Sequence, residues 1–325
     1  MHLPLATSLA GKRGLVVGIA NEASIAAGCA RAFFAAGANL AVTYLNDKAL
    51  PYVRPVTDSL GCKLLLPCDV RIPGQLEAVF ERIRTEWGQL DFLLHAIAFA
   101  PADDLHGRVV DCSAAGFALA MDVSCHSFLR MTHLAEPLMT AGGSLLTVTF
   151  YGSERVVAHY NLMGPVKAAL ESAVRYTAAE LGPKWIRANA ISPGAIRTRA
   201  ASGIDRFDEL LAAEAAAAPE HQLVDVDDVG ALAAFLVSDG ARRITGTIIP
   251  ADGGQRTRSH NRSLNAPFDD DAASGCSIGP ASTNPCRRKS CPVLAAIIRS
   301  KAAGKHGAAK SPQPGLLATQ QTVRT

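Results

Sequence analysis

Tyr160 and Lys167 stand seven positions apart in the segment His159-Tyr160-Asn161-Leu162-Met163-Gly164-Pro165-Val166-Lys167. On a helix of about 3.6 residues per turn they share one face, roughly 10 Å apart along the axis. A phenol so placed can donate a proton or a hydrogen bond to a substrate oxygen, and a nearby ammonium can hold both that phenol and a ribose hydroxyl. Such a pair points to reductase chemistry. The same spacing also occurs on any amphipathic surface helix, so the surrounding elements must decide.

Those elements can be read in chain order. Gly14-Leu15-Val16-Val17-Gly18 predicts a buried strand, and Ser24 through Ala36 a helix of small and apolar residues. Further strands are expected over 39–44, 62–67, 90–96, 144–150, 186–191 and 246–250. A helix is expected over 73–87, with Pro73 opening it and Gly88 closing it. A long helix follows Ser113 as N-cap, and the helix carrying Tyr160 and Lys167 runs to Leu181, where Gly182-Pro183 stops it. Alternation at this rhythm predicts an α/β fold, a Rossmann-type doubly wound parallel seven-stranded sheet with helices on both faces. Ligands of such sheets bind beyond the carboxyl ends of the strands.

Composition divides the chain in two. Residues 1–256 carry 22 basic and 26 acidic side chains, net −4, whereas residues 257–325 carry ten Lys/Arg and three acids, net +7. The second part has no helical or strand period apart from Val293-Leu294-Ala295-Ala296-Ile297-Ile298, so it is expected to be a basic, disordered extension of a single domain over 1–256. Its charge is dispersed and Phe268 is its one aromatic residue, which argues against a nucleic-acid arm. No apolar run reaches the roughly 18 residues needed to cross a bilayer, and the first residues lack a signal-peptide layout. A cytoplasmic protein with no membrane partner is the expectation. The eight cysteines show no metal-ligand spacing and read as reduced thiols, so no metal site is expected.

Several features fall at the predicted carboxyl ends. Gly18 closes the first strand, and Gly18-Ile19-Ala20-Asn21-Glu22-Ala23-Ser24-Ile25 leads into a helix whose free N–H groups can receive a pyrophosphate, although a tight turn alone would look the same. Cys68-Asp69-Val70 ends the third strand, where a carboxylate can meet an adenine amino group or merely cap a turn. The second ends Tyr44-Leu45-Asn46, without an acid for a ribose diol or an Arg for a 2′-phosphate, so the choice between NADH and NADPH is not written there. His95 ends an apolar strand and reads as a satisfied buried histidine, and Thr147 and Thr149 place hydroxyls near the end of the fifth.

Taken in order, Gly18…Ser24-Ile25-Ala26, Cys68-Asp69-Val70, Phe99-Ala100-Pro101, Tyr160-Asn161-Leu162-Met163-Gly164 with Lys167, Arg187-Ala188-Asn189-Ala190-Ile191-Ser192-Pro193-Gly194, Ile196-Arg197-Thr198 and Asp252-Gly253-Gly254 resemble one family. It is the bacterial enoyl-[acyl-carrier-protein] reductase branch of the short-chain dehydrogenases/reductases. The six residues between Tyr and Lys and the Ser-Ile-Ala loop are particular to that branch, and the resemblance covers about residues 8–255.

The resemblance implies that Gly18, Ser24 and Ile25 cradle the pyrophosphate of NADH and that Asp69 and Val70 border adenine. It places Ala96 beside the cofactor, Lys167 on the nicotinamide ribose, and Ile196 and Thr198 on the carboxamide and phosphate side. Tyr160 would hydrogen-bond the carbonyl of a 2-enoyl thioester carried by acyl carrier protein, with Phe150, Tyr151, Ala200 and Ile204 contacting substrate. The segment 198–218 resembles a mobile lid, and the family implies a homo-oligomer, a tetramer. Three positions depart from the pattern. Phe150 stands where the family has a second Tyr, Ala96-Ile97-Ala98 where it has Ser and Gly, and Pro165 falls between Tyr160 and Lys167, where it could shift the pair. Two alternatives follow: a carbonyl or 3-oxoacyl reductase, since the same pair polarises a ketone, and a catalytically impaired nucleotide-binding module.

Overall fold

The innermost strand, β1 (Arg13–Val17), buries four of its five residues, which is what a run of apolar side chains covered on both faces requires. In the computed structural model, which describes residues 7–198 and 206–257, six further strands join it: β2 (Asn39–Tyr44), β3 (Leu64–Pro67), β4 (Phe92–His95), β5 (Gly143–Val148), β6 (Ile186–Pro193) and β7 (Ile248–Ala251). All seven are parallel in the order β3-β2-β1-β4-β5-β6-β7, so the order reverses between β1 and β4. Such a reversal opens a crevice at the carboxyl ends of the two strands. The doubly wound sheet expected from the sequence is therefore present. The 258–325 extension lies outside the described residues.

Helices cover both faces. They are α1 (Ile25–Ala35), α2 (Leu50–Ser59), α3 (Gln75–Trp87), α4 (Ala102–Leu105), α5 (Ala114–Met121), α6 (Ser127–Ala135), α7 (Met163–Leu181), α8 (Phe207–Ala217) and α9 (Val226–Val237). One apolar core holds Phe80, Phe128, Met131 and Leu170 on one side of the sheet; the other holds Phe33, Val53, Phe92 and Leu236. The long helix expected after Ser113 is broken by a π turn, Asp122–His126, between α5 and α6. Ser113 caps its start by accepting from the Gly116 N–H at 2.9 Å. Sequence periodicity does not single out α2, which carries Pro51 and Pro55, or α9, although Asp225 and Asp228 form a capping box at the start of α9.

Strand ends differ from the expectation where polar chemistry intervenes. β5 stops at Val148: the Thr149 N–H still donates to the Ile191 carbonyl of β6 at 2.8 Å, and the chain then leaves through Phe150 for a short turn, Tyr151–Ser153. Buried His95 ties three elements: its Nδ1 lies 2.8 Å from the Thr147 hydroxyl on β5, and its Nε2 2.8 Å from the Ser127 hydroxyl on α6. Burial pushes its pKa down to about 3, so the ring is neutral and structural, as the sequence suggested.

Candidate active site

Gly18 closes β1 at φ +120°, and a β-carbon there would stand 2.2 Å from the Ala96 carbonyl oxygen beyond β4. Only glycine lets the two strands end this close together. The chain then turns into α1, whose N-cap residue Ser24 does not cap it: the hydroxyl donates back to the Asn21 carbonyl at 2.7 Å. The first-turn N–H groups of an eleven-residue helix are thus left without a side-chain acceptor, the ordinary setting for an anion.

Tyr160 is not on the helix that carries Lys167. Helix α7 begins at Met163, and Tyr160 sits in the preceding turn between His159 (φ +64°) and Asn161 (φ +40°). The turn is tied by the Tyr160 N–H to the Val157 carbonyl at 3.2 Å and by the Met163 N–H to the Tyr160 carbonyl at 3.0 Å. Asn161 tolerates the left-handed backbone, and its amide donates to the Leu105 carbonyl at 2.9 Å. The shared helix face read from the spacing is therefore replaced by a turn. Pro165 is the third residue of α7, where a backbone N–H has no intrahelical partner in any case, so it does not displace the Tyr–Lys pair.

Both side chains line one cavity of about 460 Å³, together with Ile25, Ala96, Val148, Phe150, Ile196, Thr198 and Phe207. Tyr160 is 7 % exposed and Lys167 6 %. Among the described residues no group hydrogen-bonds the Tyr160 hydroxyl. Burial, with the Glu171 carboxylate adding to it, holds that phenol above its ordinary pKa, so it is a donor and not a base. Lys167 Nζ donates to the Val148 carbonyl at 2.8 Å. Burial pulls its pKa down to about 8, against the opposing pull of Cys125 and Glu171.

The remaining expected residues divide. Phe150 lines the cavity, and its ring meets that of Tyr160 at 4.9 Å between centroids. Tyr151, expected beside the substrate, does not line it: its hydroxyl donates to Glu214 of α8 at 2.9 Å. The chain turns after Phe150, and that turn sends the second phenol under α8. Asp69 and Val70 lie past the end of β3, outside the cavity lining, and the Asp69 carboxylate is held by a two-pronged contact from Arg71, at 2.7 Å to Oδ2. Ala200, Ile204 and the rest of the lid segment over 199–205 lie outside the described residues.

Three contributors escaped the sequence reading. Glu171 is buried on α7 and accepts from the Thr149 hydroxyl at 2.7 Å. Glu214 accepts from both Tyr151 and the Ala195 N–H, tying α8 to the segment after β6. Gly152 packs against the Tyr160 ring. An acid at the fourth position after Lys167 was the one visible sign of the first; nothing local marks the other two.

These features fit a nicotinamide dinucleotide: uncapped N–H groups for phosphate, a glycine where a β-carbon would collide, and an ammonium with two of its three donors not on Val148. Comparison with known proteins agrees. The family model described as enoyl-(acyl carrier protein) reductase matches residues 18–256. The chain is 44 % identical over 247 residues to enoyl-[acyl-carrier-protein] reductase [NADH] 1 of Rhizobium meliloti, covering 76 % of this chain and 91 % of that protein. It is 45 % identical over 250 residues to the NADH enoyl-[acyl-carrier-protein] reductase of Nostoc, with 76 % and 97 % covered. A crystal structure of the Anaplasma phagocytophilum enoyl-(acyl-carrier-protein) reductase in complex with NAD superposes with a TM-score of 0.75 at 44 % identity, covering 80 % of this chain and 98 % of that one.

Proposed function

We infer that this chain, which belongs to the enoyl-(acyl carrier protein) reductase family, is an NADH-dependent oxidoreductase that reduces the carbon–carbon double bond of 2-enoyl thioesters. The observation that carries this reading is that Tyr160 and Lys167 both line one largely apolar cavity beyond the strand ends. Bound NADH supplies a hydride to the β-carbon of the substrate. The chain's own part is electrostatic. As the β-carbon is reduced, negative charge grows on the thioester carbonyl oxygen, the Tyr160 O–H, desolvated and already protonated, donates a hydrogen bond to it, and a proton taken up from solvent at the α-carbon completes the reduction. Lys167, anchored on Val148, offers its other N–H donors to the nicotinamide ribose. Gly18, Ser24, Ile25 and the start of α1 would hold the pyrophosphate, Ala96, Ile196 and Thr198 the nicotinamide side, and Asp69 and Val70 the adenine side. Phe150, Met163 and Phe207 give the acyl chain an apolar wall.

Acyl carrier protein is the proposed bearer of the thioester, by similarity to the relatives' activity. A homotetramer acting in the cytoplasm is the proposed working form. The exposed apolar side chains Phe117 and Leu129, on α5 and α6, and Tyr176 on α7 support self-association, which light scattering would measure. Among the described residues no helix is long and apolar enough to cross a membrane.

The test is NADH oxidation, followed by nicotinamide absorbance, with a trans-2-enoyl thioester and with a 3-oxoacyl thioester, in the full chain and in Tyr160→Phe. Turnover of the enoyl substrate that collapses in the variant is expected. Oxidation with the 3-oxoacyl thioester alone would assign a carbonyl reductase instead.

A further inference from the structure

Glu171 stands one helical turn beyond Lys167 on α7 and is only 4 % exposed. Its Oε1 accepts from the Thr149 hydroxyl at 2.7 Å and from the Ser153 hydroxyl at 2.5 Å. Thr149 directly follows Val148, whose carbonyl accepts from Lys167. Two oppositely charged side chains of one helix thus grip consecutive residues at the exit of β5, where the chain turns into Phe150 and Gly152 and packs against Tyr160. A carboxylate this buried is costly unless hydroxyl donors and a counter-charge answer it.

Other titratable groups near Lys167 carry no charge at neutral pH. The Cys125 thiol, from the π turn, is pushed up by burial; the His95 ring, from β4, is held neutral; and the Tyr160 phenol stays protonated. Of the two groups that raise the Lys167 pKa, Cys125 first and Glu171 second, Glu171 is the carboxylic acid.

We propose that Glu171 is a positioning residue for the reduction: through Thr149 and Ser153 it fixes the exit of β5, and its negative charge keeps Lys167 an ammonium. The assignment rests on the reductase reading, since Lys167 matters there as the cation that holds the cofactor ribose. A glutamine at this site separates the two parts of the role, because its carbonyl oxygen still accepts from Thr149 and Ser153 while the charge is gone.

The experiment is an NMR pH titration of the full chain labelled with ¹³Cε-lysine, the Lys167 resonance being assigned by Lys167→Arg. In the wild type the midpoint is expected at about 8. In Glu171→Gln it is expected to drop by at least about one pH unit, a tenfold loss of proton affinity, and Glu171→Asp restores it. The alkaline limb of kcat moves by the same amount. A folded Glu171→Gln with an unchanged midpoint overturns the proposal. Should that variant not fold, Thr149→Val with Ser153→Ala, which keeps the charge and removes its anchors, is expected to lower kcat at every pH with the midpoint kept; unaltered kcat overturns the positioning role. A midpoint that shifts in Glu171→Gln, together with a wild-type chain that never reduces an enoyl thioester, would sink the reductase reading and leave the Glu171–Lys167 coupling supported.

Discussion

The ring of Tyr160 rests on the bare α-carbon of Gly152: a β-carbon added there would stand 2.4 Å from Cδ1 and 2.8 Å from Cε1. The ring has little room to retreat, because Phe150 meets it at 4.9 Å. Gly152→Ala should therefore displace the phenol by a substantial fraction of an ångström while the sheet stays intact. A misplacement on that scale lowers kcat by roughly 10- to 100-fold. Steady-state kinetics beside a thermal melt would check it; a full kcat would show that the turn after β5 yields more easily than its packing implies.

Removing the hydroxyl without moving the ring isolates the electrostatic part. Tyr160→Phe deletes the donor proposed for the developing oxyanion, and loss of such a donor typically costs about 10²- to 10³-fold in kcat. Since the hydroxyl has no partner among the described residues, the fold loses no internal hydrogen bond, and the melting temperature should stay within a degree or two of wild type. NADH affinity, measured by fluorescence, is expected to be unchanged.

Tyr151→Phe should behave in the opposite way. Its hydroxyl donates to Glu214, a carboxylate that burial already raises above its ordinary pKa and that also accepts from the Ala195 N–H. Losing one donor leaves part of a buried carboxylate unanswered, at a cost of about 1–3 kcal/mol. The strain falls on α8, so proteolysis within 206–217 should accelerate and KM for the acyl substrate should rise. The kcat should remain within about a factor of three, because Tyr151 touches no reacting atom. A collapse of kcat equal to that of Tyr160→Phe would make Tyr151 the working phenol and refute this division.

How much of this was legible beforehand depends on whether a residue's role is local. Gly18, Ser24 and Lys167 sit where strand-to-helix rhythm alone places them, because apolar runs and their punctuation encode the sheet and its carboxyl edge. The chemistry of Tyr160 is legible in the sequence and its backbone is not, since two left-handed residues, His159 and Asn161, keep it out of α7 and neither is a glycine. Pro165 would obstruct only a helix that began at or before Asn161, and α7 begins at Met163. Tyr151 and Glu214 are 63 positions apart, and Thr149 and Glu171 22. Pairings across such separations depend on tertiary packing, which no spacing rule in one sequence reports.

Lys167 couples stability to pH in a direction unusual for a lysine. Its pKa in the folded chain is about 8, below the ordinary 10.5, and burial is the main cause. Below about pH 8 the folded state must keep a buried cation, so the full penalty is present there. Between that midpoint and 10.5 the folded chain has released the proton and the unfolded chain has not, so this contribution to stability improves as pH rises. Lys167→Met removes the penalty together with the hydrogen bond to Val148. Because Glu171 loses its counter-charge in the same step, the prediction concerns the slope: the variant's stability margin relative to wild type should fall between about pH 8 and pH 10.5, while reductase activity is lost. Urea unfolding of both proteins across that range would measure the difference. A margin that grows with pH would mean that Lys167 is stabilised in the fold, and that the protein does not hold this cation at the expense of its own stability.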